Sequence, residues 1–124
     1  MTVSSPVTAQ SLAKGFAAHK AGDYVKAMKE WKPLAHAGNS TAQFEIGLLY
    51  EDGWGVARNY RESVKWYRLA AEQDNASAQV NLGLMYAYGN GVTEDYNAAH
   101  MWFNIVSSLG HAGGRKGIAI VVKA

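Results

Sequence analysis

The chain has no cysteine among its 124 residues, which removes disulfide scaffolds, cysteine nucleophiles and thiolate metal sites and leaves the redox compartment open. Charge of one sign is also scarce. Twelve Lys and Arg face ten Asp and Glu, for a formal charge of +2, and the longest basic run is Arg115-Lys116. That is too weak and scattered for the phosphate-neutralising face that nucleic-acid binding needs. No apolar run approaches a membrane span, and residues 1–10 carry neither a charged n-region nor an apolar h-region. The chain therefore reads as soluble, cytoplasmic as it stands and periplasmic or secreted if a leader has been removed; the compartment itself stays unknown.

Chemistry-bearing constellations are missing too. His19, His36, His100 and His111 never fall at the i, i+4 spacing that puts a metal pair on one helix face, and no His-x-x-Glu or Glu-x-x-His occurs. Gly53-Trp54-Gly55 and Gly89-Asn90-Gly91 lack the third glycine and the Lys-Ser/Thr of a phosphate loop and follow helices rather than strands, so they read as turns. The adjacent acids Glu51 with Asp52 and Glu94 with Asp95 read as solvated helix ends, since a catalytic pair needs one member buried with a raised pKa. The serines cluster at termini and turns without a Ser-His-Asp grouping. No catalytic residue, metal or cofactor is expected.

What is present is a repeat. Ala42-Gln43-Phe44-Glu45-Ile46-Gly47-Leu48-Leu49-Tyr50 returns as Ala78-Gln79-Val80-Asn81-Leu82-Gly83-Leu84-Met85-Tyr86, a period of 36 residues, and such a period marks stacked supersecondary units. With 48% hydrophobic and 18% charged residues, residues 1–124 suffice for a single domain that buries its core without a metal or disulfide. Apolar residues three and four apart on two faces predict buried first helices. The paired glycines that follow end those helices in turns, Asn59 and Asp95 offer caps, and 60–73 and 96–109 read as second helices. Gly47 and Gly83 at mid-helix cost about 1 kcal/mol each against alanine, so another helix must cross close by, best supplied by the second helix of the same unit.

Residues 8–38 form a variant first unit whose Gly22-Asp23-Tyr24 turn lacks the double-glycine loop; matching Gly15 to Gly47 leaves it about four residues shorter. Units two and three occupy 40–75 and 76–111, and 112–124 is expected to be a capping helix. The motifs Asn39-Ser40-Thr41 and Asn75-Ala76-Ser77 match a glycosylation sequon, but their shared repeat position favours cap chemistry. Trp66, Trp102, Tyr60 and Tyr96 repeat with the period and read as core residues that wedge helix pairs apart. Trp31 aligns with Tyr67. Trp54 and Tyr88 break the period, being matched by Asn90 and Asp52, so packing does not demand them and they are candidates for binding.

Alanine, then Ile or Leu and Gly, Tyr three later, Gly-x-Gly-Val, Asn/Asp-Tyr, Trp-Tyr or Trp-Phe and a second alanine pair together resemble the Sel-one-like repeat (SLR), a relative of the tetratricopeptide repeat, over residues 8–113. The resemblance implies an all-α fold: a right-handed α-solenoid of about three antiparallel helix pairs whose first helices line a concave face. It also implies a role as adaptor or scaffold binding a protein or peptide, as in bacterial signalling, secretion, envelope regulation and quality control. The cysteine pairs of the cysteine-rich subgroup are absent here, so packing alone holds the units.

By analogy with related repeats the groove positions are Leu12 and Phe16, then Phe44, Leu48 and Asp52, then Val80, Leu84 and Tyr88. Trp54 lies at the edge, and Gln43, Glu45, Gln79 and Asn81 form a polar fringe. This row suits an amphipathic helix or extended apolar peptide better than a charged tail, for which Lys and Arg would line the groove. Leu48 and Leu84 are equally well read as core between consecutive units. Besides an interaction module, two other readings stay open: a structural element that is monomeric or weakly self-associating, and a hydrolase like those among the cysteine-rich relatives. Three units are near the minimum for a stable array, so the chain reads either as a compact adaptor or as a piece of a longer array.

Overall fold

A computed structural model describes residues 6–108. Six helices follow one another: α1 (Pro6–Lys20), α2 (Tyr24–His36), α3 (Ser40–Asp52), α4 (Tyr60–Ala71), α5 (Ala76–Tyr88) and α6 (Tyr96–Ser108). No strand occurs among the described residues. Each helix packs on the next in the chain, as an all-α helical-repeat solenoid requires. The expected capping helix at 112–124 lies outside the described residues.

The helix ends follow from local chemistry. Asn39 and Asn75 each accept the backbone N–H three residues on, at 2.9 Å, so the two sequon asparagines are N-caps that satisfy amide groups no intrahelical carbonyl can reach. Asp23, Asn59 and Asp95 cap α2, α4 and α6 in the same way. At the other ends of α3 and α5, Gly53 and Gly89 take left-handed φ values of 70° and 68°, a conformation cheap only for glycine.

The mid-helix glycines are sockets for aromatic rings. A Cβ at Gly47 would lie 2.5 Å from Cε1 of Tyr67, and one at Gly15 or Gly83 would overlap Trp31 or Phe103. Helices of one pair therefore meet glycine against ring. Trp31 and Tyr67 stand 36 residues apart while Gly15 and Gly47 stand 32 apart, which puts the shortfall of the first unit in the turn joining its two helices.

Between pairs the core repeats. Met28, Trp31 and Ala35 of α2 meet Ala42, Ile46 and Leu49 of α3; Val64, Tyr67 and Ala71 of α4 meet Ala78, Leu82 and Met85 of α5. Every member of the second set is its counterpart in the first advanced by 36. Trp66 joins the first cluster and Trp102 packs on the second, so these tryptophans seal one unit against the unit before it rather than wedging the helices of a single pair. Tyr96, expected in the core, is 40% exposed at the start of α6, where the first turn has no neighbour on its outer side among the described residues.

Two features expected on the groove fringe are interior. Gln43 and Gln79 are buried and donate through Nε2 to the carbonyls of Ala35 and Ala71, both at 3.1 Å. These carbonyls already accept from Gly38 N and Asp74 N in the turns that follow, both at 3.1 Å, and a carbonyl oxygen has a second lone pair to offer. The buried glutamine of each unit thus adds a second hydrogen bond to the end of the preceding unit's second helix. The second glycine of each loop does similar work: a Cβ at Gly55 would meet Tyr24 C at 2.8 Å and Val25 N at 2.9 Å, and one at Gly91 would meet Tyr60 C at 2.6 Å. The loop thus rests on the start of the preceding unit's second helix.

Candidate functional site

The last turn of α3 and the length of α5 enclose a cleft of about 140 Å³ lined by Glu51, Asn81, Leu84, Met85, Tyr88 and Asn90. Three of the expected groove residues, Asn81, Leu84 and Tyr88, are brought together here. Each is placed by helix periodicity: positions 81, 84, 85 and 88 recur three and four apart and share one face of α5. The αL turn at Gly89 then carries Asn90 back over the end of that face.

A polar group anchors the cleft. The Tyr67 hydroxyl of α4 donates to Glu51 Oε1 at 2.9 Å, and the Asn81 side chain approaches the same hydroxyl. Burial first, and then the Glu51 carboxylate beside it, hold the Tyr67 hydroxyl protonated well above the ordinary tyrosine value. The folded chain keeps this proton at a pH where the unfolded chain loses it, so the contribution is intact below about pH 10 and declines as pH rises beyond it. Tyr67→Phe is expected to cost about 1 kcal/mol at neutral pH and to flatten the loss of stability between pH 9 and 11, read from urea midpoints.

The other expected groove residues lie elsewhere. Phe44 is half-buried, its ring centroid 5.9 Å from that of Tyr67, and with Leu48 it packs on the core between units two and three. Leu84 packs on the third cluster while also lining the cleft. Leu48 is thus half-buried at the joint between units two and three, and Leu84 is half-buried inside unit three. Leu12 packs on the first cluster and its carbonyl accepts from Trp31 Nε1 at 3.3 Å. Phe16, 42% exposed, meets Trp31 edge to face. Asp52 is exposed and Val80 half-buried. Trp54 is 43% exposed and stacks on Tyr24 at 4.9 Å, with His19 at 6.0 Å, so its break from the repeat serves the joint between units one and two.

Glu51, Met85 and Asn90 are cleft residues that the groove analogy misses. Glu51 read as a solvated helix end, yet it too breaks the period, being matched by Ala87. Burial lifts the Glu45 carboxyl above the ordinary carboxylate range. A second depression, larger and more open to solvent, is lined by Arg61, Gly89, Gly91, Val92 and Thr93. Among the described residues no group of three His, Asp or Glu is placed to hold a metal ion, and no helix is long and apolar enough to cross a membrane.

Comparison with known proteins agrees with this geometry. The Sel1 repeat model matches residues 40–75 and 76–111. The chain is similar to the crystal structure of c5321, a protective antigen of uropathogenic Escherichia coli with an SLR fold, at 33% identity and a TM-score of 0.87 over 94% of this chain and 26% of that one. It is also similar to a Sel1 repeat protein from Oxalobacter formigenes, at 32% identity and a TM-score of 0.82 over 91% of this chain and 48% of that one. The chain thus spans about a quarter and about half of these two. A comparison with curated proteins finds no match. The matched repeats cover more than half of the sequence and carry two of the three glycine sockets, at Gly47 and Gly83, and both paired-glycine loops, and the chain belongs to the Sel1 repeat family.

Proposed function

We propose that the chain is a protein-interaction module whose first helices, α3 and α5 above all, receive a partner protein or peptide on the concave face of the solenoid. Sel1 repeats are helical scaffolds typically used for protein interaction and generally not for catalysis. The observation that carries the reading is Tyr88. It is 60% exposed, breaks the repeat, and stands at the wall of the α3–α5 cleft without belonging to any core cluster. Large aromatics that packing does not require are the commonest anchors of interfaces. In this reading 8–38, 40–75 and 76–111 act as three units of one surface.

The test is affinity capture with identification of the bound protein, followed by calorimetric titration of that protein in purified form. Tyr88→Ala should weaken binding about tenfold, which corresponds to about 1.4 kcal/mol, with an unchanged melting temperature. Tyr96→Ala, at an exposed tyrosine on α6, should bind as the parent does. Phe44→Ala is a poor probe because Phe44 packs against Tyr67. Equal binding by Tyr88→Ala and the parent would remove the cleft from the interface, and sedimentation showing only self-association would favour the structural alternative.

A further inference from the structure

The first helices of units two and three differ in charge from α2 and α4, the second helices of units one and two, while α6 carries no Lys, Arg, Asp or Glu. Together α3 and α5 carry Glu45, Glu51 and Asp52 and no Lys, Arg or His. By contrast α2 and α4 carry Lys26, Lys29, Lys32, Arg61, Lys65 and Arg68 against Glu30 and Glu62. A chain of net charge +2 thus keeps its cations off the two helices that form the cleft. Glu51 sits at the cleft's edge, and among the described residues its one hydrogen-bond partner is the Tyr67 hydroxyl. A carboxylate accepts about four hydrogen bonds, so most of its capacity is unused.

Resting on the interaction reading above, we propose that this cleft is a subsite for a cationic side chain of the partner, an arginine or lysine flanked by apolar residues. Each wall supplies one part of that recognition. Glu51 gives the opposing charge and a charge-assisted acceptor. The side-chain oxygens of Asn81 and Asn90 are neutral acceptors for the remaining N–H groups. The ring of Tyr88 offers a face over which a cation is attracted by the ring quadrupole. Leu84 and Met85 take the methylene stem, which long cationic side chains bury while the head stays polar. The space, about 140 Å³, is enough for a guanidinium or ammonium head. An acidic side chain is rejected by Glu51, which inverts the charge preference of a groove lined with Lys and Arg.

The probe is the tripeptide Ac-Ala-Arg-Ala-NH2, titrated into the isotope-labelled full chain and followed by backbone amide shifts. Its lysine counterpart and its citrulline counterpart, a neutral isostere of arginine, serve as comparisons. Saturable shifts at residues 51, 81, 88 and 90 are expected with the arginine or lysine peptide, about fivefold weaker with citrulline, and weaker at 500 mM than at 50 mM salt. Glu51→Gln keeps an acceptor for Tyr67 and should fold as the parent does while losing the preference for the charged peptides. Equal binding of the citrulline and arginine peptides, or a preference that survives Glu51→Gln, overturns the subsite. If Glu51→Gln unfolds, the citrulline comparison on the parent decides alone. Loss of partner capture in Tyr88→Ala with no charge preference in the peptides would sink the subsite and spare the interaction reading; the reverse pattern would do the opposite.

Discussion

Replacing Gly47 with alanine will destabilise the protein by about 2 kcal/mol, although alanine is the better helix former by about 1 kcal/mol. The new methyl group would stand 2.5 Å from Tyr67 Cε1, and Tyr67 is fully buried and tethered at its hydroxyl by Glu51. The ring cannot retreat, so the overpacking cost of about 3 kcal/mol exceeds the gain in propensity. At roughly 4–8 °C per kcal/mol for a domain near this size, the melting temperature should fall by about 10 °C. Gly83→Ala should behave alike against Phe103. Shrinking the ring provides the check: Gly47→Ala combined with Tyr67→Leu should be less destabilised than the sum of the single changes. A neutral or stabilising Gly47→Ala would disprove the socket.

The second large effect concerns the loop glycines, which sequence alone makes look equivalent. Gly89→Ala should cost about 1 kcal/mol, the usual penalty of a left-handed residue with a Cβ, because its nearest neighbour is the Glu94 side chain at 3.3 Å. Gly91→Ala should cost about 3 kcal/mol. Its φ is 74°, and its Cβ would collide with the Tyr60 peptide group and lie 3.0 Å from Arg61 N. Backbone in a helix start cannot move aside as a side-chain tip can. In a linear array each unit is stabilised only by its neighbours, so Gly91→Ala should also lower the urea m-value as units two and three uncouple. Equal costs at the two positions would show that the loop does not bear on the preceding helix.

These comparisons indicate how far the residues speak for themselves. The period, the capping asparagines and the glycine stops are legible because each rests on local backbone chemistry, which a single segment of chain displays. The glycine sockets are half legible: a costly mid-helix glycine announces a close neighbour, and Trp31 aligns with Tyr67. Yet the repeated Trp66 and Trp102 draw attention to the wrong ring, one residue away. Gln43 and Gln79 read as fringe because the carbonyls they bond, at Ala35 and Ala71, belong to the unit before. Trp54 and Tyr88 both break the period, and nothing in sequence separates the one that stacks on Tyr24 from the one that stands free. The cleft is legible only once Tyr67 is placed, since that hydroxyl ties Glu51, which otherwise reads as a solvated helix end, to the cleft's edge.

The three sockets hold three different rings, Trp31, Tyr67 and Phe103, and this difference acts during folding. A chain of near-identical neighbours is exposed to mispairing, with the first helix of one unit docking on the second helix of another. Were α5 to seat on α4 in place of α3, the Tyr67 hydroxyl would find Ala87 where Glu51 belongs and be buried without an acceptor. Were α3 to seat on α6, Glu51 would lose its donor, since Phe103 has none. One hydroxyl and one carboxylate thus work as a matched address, so that a repetitive sequence still assembles in a single order.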